Sequence, residues 1–420
     1  MLSRSKYLIR RFTPTAPSPV AWLLPEIIDH ILGFIAEERA SGADTATPTT
    51  FFTDLARLCR GWYHPVSAYI FSSVAPTSFR SCELLIRSLD NNPQLSLMVK
   101  SLTIPKIPRL FYRDISTNDA PILMLSLIGK CPNLVELRIP MKSSIEWTAD
   151  LLQVHLPSME KLRNLKSLEI SALDMVDPLF SPLCARYVSM WLLQVPSLPQ
   201  LERLTLSDVE FFGSYHWPSL PRLRFLYLHR PSFAFVTEDL VLIPLLSEFR
   251  GSLKVLHLTN FMGNSPHASH FETIHTAVPT LEELTIVCPP LVHDMSSGSW
   301  FEKGPEHMTS LRYLHINNQL CQPSLLNKLP PLLDTLVITL LDGDSKLNLR
   351  SFIGQLPSTV KNLVIKVRGH LMETDHVETI APVLSRRIKA KVTTFQKEMY
   401  QIANERGINL QIETQDGVLL

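Results

Sequence analysis

His267, His270 and His275 are the densest run of residues with ligating chemistry in this chain. They stand in a polar segment without a cysteine. They also lack the H-E-x-x-H spacing that sets two imidazoles on one helix face, so they read as loop histidines. His293-Asp294 and Asp375-His376 are adjacent pairs with no partnered nucleophile. No G-x-S-x-G elbow occurs, and neither G-x-G-x-x-G nor G-x-x-x-x-G-K-[ST] is present to cradle phosphates. Cys59, Cys82, Cys131, Cys184, Cys288 and Cys321 are scattered without a C-x-x-C pair, and they read as reduced core thiols. The expectation is a chain with no catalytic group, no cofactor and no metal.

Recognition chemistry is better represented. Phe225, Tyr227, His229, His257, Tyr313 and His315 combine flat apolar faces with hydrogen-bonding tips. Such side chains carry much of the energy of protein interfaces when they share one surface. A recurring phrase in the sequence is what could bring them together. Leu253-Lys254-Val255-Leu256-His257-Leu258 reads apolar, two spacers, apolar, one spacer, apolar. The same cadence stands at 134–139, 165–170, 201–206, 223–228, 281–286, 311–316 and 333–338, with looser copies at 99–104 and 360–365. Its last three positions alternate in, out and in, as a strand does.

If the leucines point inward, the middle outward positions are Thr103, Arg138, Glu169, Thr205, Tyr227, His257, Thr285, His315, Val337 and Val364. Phe225, His229 and Tyr313 are outward neighbours. The six aromatic and histidine residues then form a target-binding patch. Alternatively, they belong to a partly solvated sheet face, covered in places by a loop of the chain itself.

Fixed-cadence repetition predicts a stacked array, because one unit cannot bury its own apolar edge. Steps between middle leucines run from 22 residues (Leu204 to Leu226) to 36 (Leu168 to Leu204), so the units are irregular. The longer steps leave room for a strand, a turn and a helix, for instance at 120–129 and 239–249. The expected fold is α/β: a short helical domain, then an irregular leucine-rich-repeat solenoid with a parallel sheet on its concave side. At the C-terminus, Leu384, Ile388, Val392, Phe395, Met399 and Ile402 have helical spacing. Gly407 is placed to end that helix, and Ile408, Leu410 and Ile412 alternate as a closing strand.

The whole chain sets bounds. It has 420 residues, and 40 basic against 39 acidic side chains leave a net charge of +1. No bulk field draws it to nucleic acid or an anionic membrane. A hydrophobic fraction of 45% suits an ordered chain. No apolar run approaches the roughly 18 residues of a membrane span. Glycine is scarce at 14 and proline plentiful at 32, so the turns are expected to use proline. No N-x-[ST] acceptor occurs, and a cytoplasmic or nuclear location is expected. Residues 1–19 carry Arg4, Lys6, Arg10 and Arg11 with no acid, and read as a basic tail or as a transit peptide.

Residues 20–75 read as a separate helical domain, and 76–420 as the repeats with their cap. Pro25 suits a first helical position, with Glu26 at the positive helix end. Ile27, Ile31 and Ile35 form a stripe, with Ile28 and Leu32 beside it. A second helix is expected from Phe51 to Gly61, and a third from about Pro65 to Phe71. So small a unit with so large an apolar load should leave surface for something else to cover.

Leu24-Pro25-Glu26-Ile27-Ile28 with Ile31-Leu32, then Leu55 through Cys59-Arg60-Gly61-Trp62, then Ile70-Phe71, resembles the F-box. The likeness is greatest to the fungal variant that heads leucine-rich-repeat tails. It departs in the longer loop from Glu37 to Thr50 and in Gly61 before the tryptophan. The resemblance implies docking on the Skp-type adaptor of a cullin ubiquitin ligase, with Leu24, Pro25, Ile28, Leu32 and Trp62 as contacts or their support. It also implies a non-catalytic substrate receptor whose repeats hold a protein target. The alternative is a repeat scaffold that binds a protein without any ligase, its first helices serving as a cap.

Overall fold

The computed structural model describes residues 27, 30–32, 60–105, 119–142, 162–173, 198–207, 210–212, 220–229, 232–234, 246–259, 274, 278–287, 307–317, 328–340, 349–367 and 397–414. The basic tail, most of 20–59 and His267, His270 and His275 lie outside them.

In chain order the strands are β1 (Ser73–Val74), β2 (Ser101–Thr103), β3 (Glu136–Lys142), β4 (Ser167–Leu173), β5 (Arg203–Ser207), β6 (Glu210–Phe212), β7 (Phe225–His229), β8 (Ser232–Ala234), β9 (Val255–Thr259), β10 (Glu283–Val287), β11 (Tyr313–Asn317), β12 (Thr335–Leu340), β13 (Asn362–Val367) and β14 (Asn409–Thr414). Twelve of them form one sheet in chain order, and β6 pairs with β8 apart from it. All the pairings are parallel. The chain is therefore α/β, and its sheet order is consistent with a solenoid-like repeat array.

The register explains the cadence. Leu102, Leu137, Leu168, Leu204, Leu226, Leu256, Leu284, Leu314, Leu336, Leu363 and Leu410 are successive partners across the sheet. Each is buried, Leu256 completely. Fully burying one such side chain contributes roughly 2 kcal/mol, so the row is a large part of what holds the array together. The leading position of each phrase, from Val99 through Leu253 to Val360, is buried as well.

A four-residue turn feeds most strands of the large sheet. The Leu201 N–H donates to the Leu198 carbonyl at 3.0 Å, and Leu223 to Leu220, Leu311 to Met308 and Leu333 to Pro330 follow the same geometry. Proline takes the second turn position at Pro132, Pro199, Pro221, Pro279 and Pro331, where its fixed φ suits a turn. The residue opening the turn is apolar and buried at Cys131, Leu162, Leu198, Leu220, Val278 and Met308. One carbonyl per unit then receives two successive N–H groups from the next. Lys254 O accepts from Glu282 at 2.8 Å and Glu283 at 3.0 Å, and Arg224 O accepts from Lys254 and Val255. These doubled bonds fix the register at each step from β2 to β13.

The helices differ in part from expectation. The segment Arg60–Ser72 is one helix with Pro65 inside it, where a break between Gly61 and Pro65 was expected. Pro65 is the sixth residue of this helix, so its missing N–H leaves the Gly61 carbonyl without its helical partner, and the helix runs on through it to Ser72. Phe79–Asn91 starts on a capping box in which Ser78 and Ser81 satisfy each other's backbone N–H groups. Asp119–Gly129 matches the expected filler helix. Leu32 and Val66 are fully buried, yet among the described residues neither belongs to the continuous core that runs from Cys82 to Ile412.

The C-terminal cap has the expected order of helix, glycine and strand. Helical residues 397–405 end at Gly407, whose φ is +68°. The Ile408 N–H reaches back to Ala403 O at 2.8 Å, and Gly407 N–H to Asn404 O at 3.0 Å. That is a Schellman closure. A Cβ at 407 would meet nothing within 4 Å, so substitution there costs backbone strain alone. Gly407→Ala is expected to destabilise the protein by about 1–2 kcal/mol, with Gly407→Asn falling between the two. Denaturant midpoints of the three proteins check this order.

Candidate recognition surface

Because the leucines face one way, the residues between them face the other in equally strict rows. The middle row runs Thr103, Arg138, Glu169, Thr205, Tyr227, His257, Thr285, His315, Val337, Val364 and Gln411. The row before it includes Arg203, Phe225, Val255, Glu283, Tyr313 and Thr335, and the row after it His229, Thr259, Val287, Asn317 and Thr339.

Phe225, Tyr227 and His229 share β7, His257 is next on β9, and Tyr313 and His315 stand on β11 beyond β10. All six lie on three strands within a span of four neighbours, and all six are half-buried. Around them the outward face is drier than an open sheet face. Val255, Thr285, Val287, Asn317, Val337 and Thr339 are buried although they point away from the leucine row.

The rings are held by specific contacts. Tyr227 meets His257 edge-on, with centroids 4.6 Å apart and planes at 75°. The Arg203 guanidinium lies over the Phe225 ring, 5.2 Å from its centroid. His257 Nε2 is 2.7 Å from Glu283 Oε1. His229 Nδ1 is 2.7 Å from the Thr259 hydroxyl, and His315 Nε2 is 2.8 Å from the Thr339 hydroxyl. Threonine is well suited to these places, since its hydroxyl can donate to or accept from an imidazole nitrogen.

Burial sets the protonation states. It raises the Tyr227 phenol above its ordinary value, with the Arg203 charge opposing and the Glu283 charge adding. It pushes the Tyr313 phenol up to about 12, helped by the Glu283 and Glu413 charges. It pushes His315 down to about 4, helped by Lys366 and His257. At neutral pH the face therefore presents protonated phenols and, at 315, a neutral imidazole. It can stack and exchange hydrogen bonds, but a base as weak as His315 is poorly matched to proton abstraction at pH 7. Among the described residues no group of three or more His, Cys, Asp or Glu is arranged to hold a metal ion. No described helix is long and apolar enough to cross a membrane. Burial also keeps the Cys82 and Cys131 thiols protonated, with pKa values near 11 and 12.

The adaptor residues are less fully described. Leu24, Pro25 and Ile28 lie outside the described residues, and Trp62 is placed within the Arg60–Ser72 helix. Leu32 is fully buried. Among the described residues there, Ile27 at 44% and Ile31 at 36% are exposed. Sequence reasoning named Thr285 but passed over Glu283, Arg203 and the threonines at 259 and 339. Extending the in–out alternation by one outward position along β10 would have found Glu283 between Val255 and Tyr313. No family model matches this chain, and no curated protein matches it.

The His315 shift has a pH consequence. The unfolded chain takes up its proton near pH 6.5, whereas the folded protein resists protonation until about pH 4. Stability should therefore fall as pH drops through that window, by on the order of 2 kcal/mol from this residue. His315→Gln should remove this share of the acid sensitivity. Urea unfolding of both proteins at pH 7 and pH 5 measures it.

Proposed function

We propose that this chain is the substrate-recognition subunit of a Skp–cullin–F-box type ubiquitin ligase. Its opening helices dock on the adaptor, and the outward sheet face holds a protein target for subunits that do the chemistry. The mechanism is tethering: a target held beside the ligase meets it at high effective concentration. No catalytic group, cofactor or metal is required of the chain itself.

One observation carries the reading beyond the sequence resemblance. Ile27 and Ile31, four positions apart, are both exposed, while Leu32 beside them is fully buried and, among the described residues, does not belong to the repeat core. A helical unit that served only to cap the repeats would turn such side chains inward. An exposed stripe with a buried backing is instead what a helix-docking interface needs.

Co-expression with a Skp-type adaptor tests the docking step. The complex should co-purify, and Ile27→Asp with Ile31→Asp should break it while the thermal unfolding of the repeats stays unchanged. Leu32→Ala should behave differently, loosening the helical segment by about 2–5 kcal/mol. If the wild-type chain does not capture the adaptor, the better reading is a protein-binding repeat scaffold without a ligase role.

The target face has its own test. Tyr227→Ala with Tyr313→Ala should abolish ubiquitination of captured targets and leave adaptor binding intact. Quantitative proteomics of cells with the ligase stalled, comparing wild type with this variant, provides the readout.

A further inference from the structure

We infer that Glu283 is the anchor for a basic side chain, lysine or arginine, of the protein held on this face. The inference rests on the reading that the outward sheet face binds a target, and it names the chemistry of that target.

Charge is scarce here. Across the three outward rows of β7, β9, β10 and β11, histidines aside, Glu283 is the one side chain carrying a full charge. Four other carboxylates along the sheet have a lysine or arginine at hand. Glu169 has Arg138 at 3.4 Å, Glu282 has Lys254 at 2.8 Å, Asp334 has Lys361 at 3.8 Å and Glu413 has Lys366 at 3.5 Å. Glu283 has His257 alone, on Oε1, and its second oxygen has no hydrogen-bond partner among the described residues. Arg203, the basic residue on the neighbouring β5, is engaged over Phe225.

The surroundings favour a cation. Tyr227 and His257 stand on one side of the carboxylate and Tyr313 on the other, and its charge is felt by both phenols. Aromatic faces attract an ammonium or guanidinium, and partial burial weakens the screening of the carboxylate by water. With its side chain 35% exposed, Glu283 is still open to an incoming group. A lysine or arginine stem would lie along the rings with its charge on the carboxylate.

The test uses short random peptides selected against the immobilised full chain, against Glu283→Gln, and against the Tyr227→Ala, Tyr313→Ala protein. Wild-type selections should converge on lysine or arginine at one position beside apolar residues. Replacing that residue with norleucine in a synthesised winner should weaken its binding to the wild-type chain by about tenfold or more, and Glu283→Gln should do the same. Added salt should weaken the lysine peptide and leave the norleucine peptide unaffected. The inference is overturned if basic residues are not enriched, or if the norleucine swap leaves affinity unchanged, in which case His257 alone neutralises the carboxylate. Peptides lacking a basic residue but dependent on the two tyrosines would remove Glu283 and leave the face standing. Peptides indifferent to the tyrosines would remove the face as well.

Discussion

One constraint governs this molecule: no repeat can bury its own apolar edge. A single phrase such as Leu253 to Leu258 would leave Leu256 bare on either side. Placed between Leu226 and Leu284 it is sealed completely. The doubled hydrogen bond at each step then matters as much as the leucines. By taking two N–H groups on one carbonyl, Lys254 and its equivalents keep Glu283 in line with Val255 instead of slipping by a residue. A slip of one would turn every leucine to the outward face.

The same lock makes the outward face a grid. Neighbouring strands lie about 4.8 Å apart and their outward residues stand in rows, so side chains distant in sequence become neighbours by arithmetic. Tyr227 meets His257 and His257 meets Glu283 because each holds an equivalent or adjacent position in its unit. The outward residues are thus positioned by a force unrelated to their own chemistry. The leucines hold the frame, and the outward positions are free to carry whatever a partner requires.

Much of this was legible in the sequence. Period-2 alternation is a local property, and a leucine row aligns only one way, so the middle outward row from Thr103 to Val364 could be written down from the cadence alone. The cap was legible for a similar reason, because Gly407 stands where only a left-handed residue ends a helix cheaply. Pro65 misled because a proline within an apolar run reads as a helix boundary, whereas here the helix continues through it. The dryness of the outward face was also hidden. Thr285, Val337 and Thr339 are buried on a side that alternation alone assigns to solvent. Burial there depends on what lies over the sheet, and pattern within a strand carries no information about that.

That dryness changes what the face can do. On a fully wet sheet the His257–Glu283 contact would be screened to little effect, and His315 would titrate near its ordinary value. With neighbours at 285, 317, 337 and 339 buried, polar groups in the patch interact more strongly and tolerate mismatch less. Thr285 marks the tension, since its hydroxyl is buried and unpartnered between two histidines in the middle row. A surface of this kind gains selectivity from what it refuses. A partner that fails to match its hydrogen bonds or its lone carboxylate leaves those groups desolvated and unpaired, while a matching one meets rings already held in place. Stiff strands, locked rings and sparse charge are the physical features on which the recognition role proposed for this face rests.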